Sequence, residues 1–565
     1  MSNKSWFSDS MEDIEKQKKF DLSIWRSSQQ RIEMVTDPDC PYSVLETVAT
    51  HDLDEEVVLA ILLAAEVDEK ILDIISKKWN YSRDELVEKQ YRAFATRDDK
   101  RSAVFCGVPW NHVSTTAGGE VRMCCQMINS AGMSGNEAHG QVYKEDGKAL
   151  TVWDDISEHR NAEQWKSLRR EFLAGNKPKI CDLCWHEEEN GIGSRRQWTD
   201  TVFPYLFEKA IFHTAEDGSI KHEDFPIEHW DLRFGNKCNL ACRSCGPGNS
   251  DLWYKDWKAL TGKDSFGSIS GEDDIVIEYD SNNKPFVKDS PFEWFNRTDL
   301  VSQIKSDIKD IKRFYFTGGE PTINHTHRQL LQYCIDNDHA KRITLDYNTN
   351  MAGVPNAIFE QWKSFKLVNL GMSIDGIYEH FDFIRYPGKW DTAYKNLKRA
   401  DDMDTENITA CITMTVSIYN VLHFLDMQWW MREQNWKIID PNIIVHNLYG
   451  PKHLNTQNLP VEIKEYINNR YSQFLEDVKA QWPDEADKGF VNLLEIRMNS
   501  ILHHMNAVEP DAGLWDMFIE QTEKLDAIRG ENWRESISEI WDLVEKYQGQ
   551  ELRKNNVQLA TTSKK

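Results

Sequence analysis

Apolar positions recur at broadly helical spacing through the first hundred residues: Val44, Leu45 and Val48, then Val57, Leu59 and Leu62, then Ile71, Leu72 and Ile75. No glycine interrupts residues 1–100, and two Asp-rich turns, at 37–39 and 51–54, precede apolar helices. The pattern predicts an N-terminal helical module over 1–100, either a small bundle or a pair of short helical repeats. From about residue 225 the rhythm becomes strand, helix, strand, helix. Strand-like runs fall at 227–234, 312–317, 342–348, 367–374, Ile408–Val416 and 443–447, with amphipathic stretches such as 324–335 and 392–400 between them. This alternation predicts right-handed βαβ units and a parallel sheet, open or curled into a barrel. The polar, acidic stretch 267–289 interrupts the rhythm and reads as a surface insertion. After about 456 the chain is helical again and rich in Trp, and it ends in the polar segment 556–565, expected to fray. The expected organisation is therefore 1–100, 101–200, 225–455, 456–555 and a tail at 556–565.

Composition narrows the class. At 565 residues the chain is too long for one hydrophobic core. Its 40 % hydrophobic content excludes wholesale disorder. With 67 Lys and Arg against 92 Asp and Glu, the formal charge of −25 disfavours a broad phosphate-gripping surface, so nucleic acid is a disfavoured partner. The strongly apolar run at 57–65 is too short for a membrane span, and no export signal is visible. The expectation is a cytoplasmic chain, not bound to membrane, whose eleven cysteines are reduced or metal-bound.

The strongest chemical signal is Cys238, Cys242 and Cys245 at C-x3-C-x2-C spacing, directly after the first expected strand of the alternating region. Three soft thiolates in one loop suit an iron–sulfur cluster, whereas zinc wants a fourth ligand nearby. The alternative is a zinc knuckle. The spacing resembles that of the radical S-adenosylmethionine (SAM) enzymes, in which a [4Fe–4S] cluster with one open iron binds SAM. Further motifs follow in order, each at a strand's C-terminal end, where ligand sites on parallel sheets lie. Thr317-Gly318-Gly319-Glu320-Pro321 stands where the family meets the SAM amino group: paired glycines admit a close backbone, and Glu320 can brace the loop. Asn348 ends the next strand, and Ser373 and Asp375 end the one after. Arg385 follows, and Asn420 comes after the fifth strand. The resemblance implies that Ser373 meets the ribose and Arg385 the methionine carboxylate, a chemically apt fork. It places Asn420 on the cofactor side.

Upstream, Cys181 and Cys184 form a C-x2-C pair after an amphipathic helix that Gly175 is expected to stop. Cys106 and Cys124 supply two more thiols, with Cys125 the alternative to Cys124. This resembles the twitch domain, a shortened SPASM domain that holds an auxiliary [4Fe–4S] cluster in some radical SAM enzymes; a four-Cys zinc site is the alternative. In the better-known relatives that domain follows the barrel, whereas here it precedes it. The resemblance implies an α/β fold: a partial (β/α)6 TIM-like barrel, an auxiliary iron–sulfur domain, and helical N- and C-terminal extensions. It implies reductive cleavage of SAM to a 5′-deoxyadenosyl radical that takes hydrogen from a substrate. That substrate would be a peptide or protein side chain, or alternatively a small molecule such as a sugar, nucleotide or amino acid. A one-electron donor such as flavodoxin or ferredoxin is the implied partner. A non-catalytic metal-binding scaffold is the reading of another class. No acid or base is assigned. His325, His327, His503 and His504 read as ordinary helix or loop residues, and His186 and the run 187–189 as solvent-facing. Asp526 and Arg529, three apart, read as a surface ion pair.

Overall fold

The computed structural model describes residues 101–129, 140–189, 193–267, 274–296, 300–403, 405–484 and 487–546. Before residue 101 it describes 35, 40, 42–51, 57–58, 61, 69–79, 81 and 86. The tail 556–565, the first Asp-rich turn and residues 52–54 of the second lie outside the described residues. The chain divides into two compact units, one of 1–110, 166–178 and 195–224, the other of 111–165, 179–194 and 225–565. Among the described residues no helix is long and apolar enough to cross a membrane.

In the first unit, helices Tyr42–His51 and Glu69–Trp79 share a core of Leu45, Val48, Ala49, Ile71 and Ile75. Lys78 donates to the carbonyls of Ala49 (3.2 Å) and Thr50 (3.0 Å), so a cation closes the carbonyl end of the first helix. Gly175 does stop the helix Glu163–Leu173: it takes a left-handed φ of 77°, which a side chain would resist.

The second unit is built on one eight-stranded sheet. In chain order its strands are β1 (His112–Thr115), β2 (Val121–Arg122), β3 (His229–Arg233), β4 (Arg313–Thr317), β5 (Thr344–Thr349), β6 (Leu367–Ser373), β7 (Ile408–Val416) and β8 (Ile439–Asn447). Their order across the sheet is 8-7-6-5-4-3-1-2, and every pairing is parallel except β1 with β2. Helices His325–Asp336, Asn356–Trp362, Trp390–Asp401 and His423–Glu433 cross between successive strands from β4 to β8. Period-two alternation assigns the faces. Phe314, Phe316, Leu345, Tyr347, Val368, Leu370, Met372, Ile412 and Met414 form the buried face. The opposite face is polar. Arg313 donates to Asp346 at 2.6 and 2.7 Å, Asn369 donates to Asp346 at 2.7 Å, and Thr409 donates to Asn369 at 2.6 Å, a rung of four side chains on four strands. A buried parallel sheet usually reads apolar on both faces, and this polar face departs from that pattern.

Two differences from the sequence reading stand out. β1 pairs in parallel with β3, His112 opposite His229 and Ser114 opposite Asp231, so the segment before the alternating region extends the same sheet. Around the stretch 267–289 the described residues form short two-stranded ribbons, Ser265–Gly267 with Asp274–Val276 and Glu278–Tyr279 with Pro285–Phe286.

Candidate cofactor site

The loop from Gly235 to Asp251 carries the three cysteines off the C-terminal end of β3. Its first half is fixed by its neighbours. Ala241 donates its N–H to the Tyr386 carbonyl (2.6 Å) and Arg243 to that of Ile384 (2.9 Å), so the loop runs hydrogen-bonded beside residues 384–386. Asn236 donates to the Pro247 carbonyl (2.8 Å), and Trp253 donates its ring N–H to the Cys242 carbonyl (3.0 Å). These bonds fix the backbone on either side of the thiols.

The second wall is Gly318-Gly319-Glu320 at the end of β4. Glu320 donates its N–H to the Lys237 carbonyl (2.8 Å), joining this turn to the cysteine loop. A Cβ on Gly319 would lie 2.2 Å from that same carbonyl oxygen, and one on Gly318, whose φ is 80°, would meet the Arg233 Cβ at 2.7 Å. Both glycines are therefore steric requirements of two backbones in contact. The Glu320 carboxylate is buried and accepts from Thr322 N–H (3.0 Å), Thr322 hydroxyl (2.6 Å), Thr349 hydroxyl (2.9 Å) and Asn350 N–H (2.8 Å). Burial pushes its pKa up, and these donors oppose the rise. It ties β4's turn to the end of β5.

The third wall comes from β6 and beyond. Asp375 accepts from Arg385 (2.8 Å) and from the Thr415 N–H (2.8 Å), which holds the guanidinium against the end of the sheet. Burial opposes the charge of Arg385, but Asp375 and the thiols of Cys242 and Cys245 raise its pKa. Its Nε is buried without a hydrogen-bond partner.

Cys238, Cys242, Cys245, Gly318, Gly319, Glu320, Asn348, Ser373, Asp375 and Arg385 line one cavity of about 240 Å³. Pro321 and Asn420 stand elsewhere. Pro321 begins a turn of 3-10 helix that Glu320 caps. Asn420, wholly buried, donates to the carbonyls of Asp375 (2.9 Å) and Thr415 (3.0 Å) and accepts from Ser417 N–H (2.8 Å), clamping the ends of β6 and β7 from behind. Arg233, Thr317, Asn350 and Thr415 also line the cavity and were not among the sequence candidates. The signal for them was available: Thr317 opens the motif already singled out, Asn350 follows Asn348 by two residues, and Arg233 and Thr415 lie at the C-terminal ends of their strands on the polar face.

The thiols respond to one another. Burial, then Cys242 and Glu320, push Cys238 up to about 12. Cys242 is lowered by a bond from Cys245 and by the nearby Arg385 and Arg529 guanidinium groups, and Cys245 is raised correspondingly. A metal ion bound by such thiols displaces their protons.

Of the upstream cysteines, Cys106 belongs to the first unit and Cys124, Cys125, Cys181 and Cys184 to the second. There the short helices Cys125–Asn129, Lys179–Cys181 and Asp182–Glu189 pack on one another. Two of the histidines are held inside the protein. His327 is buried with Nε2 2.8 Å from the Tyr347 hydroxyl, and His504 is buried with Nε2 3.0 Å from Asn455 Oδ1. The surface ion pair expected of Asp526 and Arg529 is overturned. Both side chains are buried: Asp526 pairs with Arg243, and Arg529 donates to Asp256 (2.8 Å).

The family model described as the radical SAM superfamily matches residues 232–423, the stretch that supplies this cavity. No curated protein matches the chain. Among solved structures, the one titled as hexahistidine-tagged anSMEcpe with bound AdoMet is similar at 18 % identity, covering 47 % of this chain and 61 % of that one, TM-score 0.27. Streptococcus suis SuiB bound to S-adenosylmethionine is similar at 12 % identity, covering 60 % and 66 %, TM-score 0.27. SuiB of the same organism bound to the precursor peptide SuiA is similar at 13 %, covering 52 % and 60 %, TM-score 0.26. The chain spans less than two thirds of the length of each of these structures. The radical SAM superfamily match is thus confined to residues 232–423, and that family implies a [4Fe–4S] cluster and SAM as cofactors.

Proposed function

We propose that Cys238, Cys242 and Cys245 hold a [4Fe–4S] cluster that binds SAM, and that the enzyme cleaves SAM reductively to abstract hydrogen from a peptide or protein side chain. One observation carries the reading: the three thiols share a single cavity with Gly318, Gly319, Ser373 and Arg385, residues drawn from four separate stretches of the sequence. The residues fit the implied cofactors. Three thiols of one loop supply a soft donor set with no fourth from the loop itself. The partnerless Nε of Arg385 is a buried donor suited to a carboxylate. When bound, the cluster supplies the electron and SAM the 5′-deoxyadenosyl radical. The chain's own share is positional. Arg385, held by Asp375, orients a carboxylate; Gly318 and Gly319 admit the ligand to their backbone; Glu320 keeps that turn and the end of β5 in fixed relation.

In the same reading the sheet from β3 to β8 curls as a partial (β/α)6 barrel with the cavity at its C-terminal mouth. Cys124, or Cys125 in its place, at the start of the helix Cys125–Asn129, and Cys181 and Cys184, on the two short helices packed against it, hold an auxiliary cluster, as the twitch-like spacing suggests. The peptide substrate rests on that resemblance, since SPASM and twitch relatives often modify ribosomal peptides.

Anaerobic reconstitution with iron and sulfide, followed by SAM and a strong reductant, tests this. The expected products are methionine and 5′-deoxyadenosine, with about eight irons per chain, falling to about four in Cys181→Ala. A reconstituted chain that binds iron but leaves SAM intact contradicts the proposal.

A further inference from the structure

The helix Ala512–Arg529 ends against the cysteine loop, some 280 residues away in sequence, and the contact is made of charges. The Arg529 side chain, 1 % exposed, donates through Nε to Asp256 (2.8 Å) and through a terminal nitrogen to the Ala241 carbonyl (2.8 Å), in the peptide bond that leads into Cys242. Its guanidinium lies 4.5 Å from the Tyr386 ring centre and 4.9 Å from that of Trp253. Ala241, Trp253 and Leu525 close an apolar cluster around it, with Cys245 at its edge. The neighbouring cation, Arg243, is fully buried and differently compensated. It pairs with both Asp526 and Glu531 (2.7 Å) and lies 3.5 Å over the Phe383 ring. Asp526 in turn accepts the Trp533 N–H (2.6 Å). Around the loop, then, Arg243 faces two carboxylates, whereas Arg529 faces one, Asp256, and Arg385 faces one, Asp375.

We infer that Arg529 is a positioning residue of the C-terminal helix that sets the reduction potential of the cluster at Cys238, Cys242 and Cys245, its charge held in place by Asp256; this rests on the reading above that those thiols hold a cluster. The physical reason is the field of a desolvated cation. Reduction adds one negative charge to the cluster, and a guanidinium bonded to the peptide before Cys242 stabilises that charge. Water is excluded from the Arg529 site, so the field is screened weakly. Arg529 also anchors the loop through its bond to Ala241, so loop placement and potential are set by one side chain. An arginine suits the task because its fork bonds a carboxylate and a carbonyl at once, which an ammonium does with less geometric definition.

The test is an EPR-monitored redox titration of the full-length reconstituted protein, following the signal that changes on addition of SAM. Arg529→Gln is expected to move its midpoint to more negative potential, because Asp256 is left uncompensated. Asp256→Asn is expected to move it to more positive potential, because Arg529 is freed of its counter-charge. Arg529→Lys, which keeps the charge, is expected to stay near wild type. Opposite shifts in the first two variants cannot come from packing alone. Midpoints unchanged in both, or shifted in the same direction, overturn the inference. Should Arg529→Gln retain no cluster, Asp256→Asn and Arg529→Lys decide: a positive shift in the former with a near-native midpoint in the latter upholds the inference, and any other pair overturns it. A wild-type chain with no SAM-responsive signal overturns the cluster reading, and the inference with it.

Discussion

At the scale of single residues, burial decides chemistry more than residue type does. His380, His423 and Glu539 bring ligand atoms within 4.8 Å of one another, the spacing of a metal site. Yet the two imidazoles lie parallel, 3.6 Å apart with 4° between planes. An ion in the plane of one ring cannot also lie in the plane of the other, so the trio as it stands does not chelate. Instead His380 Nε2 lies 2.6 Å from the Glu539 carboxylate, and His423 Nε2 accepts the Ile377 N–H (3.1 Å), two residues after Asp375. Burial and His380 push the His423 pKa down to about 2, with Asp426 the nearest acid to its Nδ1 at 3.9 Å. The unfolded chain takes up this proton below about pH 6.5, and the folded chain refuses it. Stability from this group is therefore whole above pH 6.5 and is lost as the pH falls toward 2, by about 1.4 kcal/mol per unit. Unfolding midpoints compared at pH 7, 6 and 5 should fall less steeply for His423→Gln than for wild type. Equal slopes would show that His423 is not held neutral.

At the scale of elements, the strands were legible because one face alternates cleanly. β7 was read at its observed bounds, Ile408–Val416. β8 begins four residues before its expected start, because Asp440, Pro441 and Asn442 hide the strand from a pattern search. The sheet admits them at an irregularity, the register shifting between Cys411 and Thr413. β1 could not be read at all: four residues, His112 to Thr115, are too few to show a period, and pairing with β2 and β3 makes them a strand. The turn after β4 shows the reverse, since two glycines named in the sequence prove to be a contact between two backbones. Gly319→Ala must displace the Lys237 carbonyl, 2.2 Å from the new Cβ, and with it the strand of loop that leads to Cys238. Cluster loading of that variant, measured as bound iron, should drop several-fold, at a stability loss of about 1–3 kcal/mol. Loading equal to wild type would mean the two loops are free to part.

At the scale of the whole molecule, the three-cysteine loop and the residues that meet it were named from spacing and order, and the fold gathers ten of them around one cavity. What spacing could not reveal was everything carried by long-range contact. Asp526 and Arg529 stand one helical turn apart, which reads as a surface pair, but each turns to a buried partner more than 270 residues distant. Likewise Asn420, placed on the cofactor side by resemblance, ties two strand ends together through the carbonyls of Asp375 and Thr415. Cys334 is wholly buried with its thiol pushed up to about 12 by burial, an inert side chain on the helix His325–Asp336. Cys334→Ala is therefore the matched control for the cluster thiols. The central claim is tested most directly by 5′-deoxyadenosine formed on reduction in the presence of SAM, compared among wild type, Cys334→Ala and single alanine variants of Cys238, Cys242 and Cys245. Turnover retained in wild type and Cys334→Ala and abolished in all three cluster variants is the predicted result; turnover that survives loss of Cys238, Cys242 or Cys245 contradicts it.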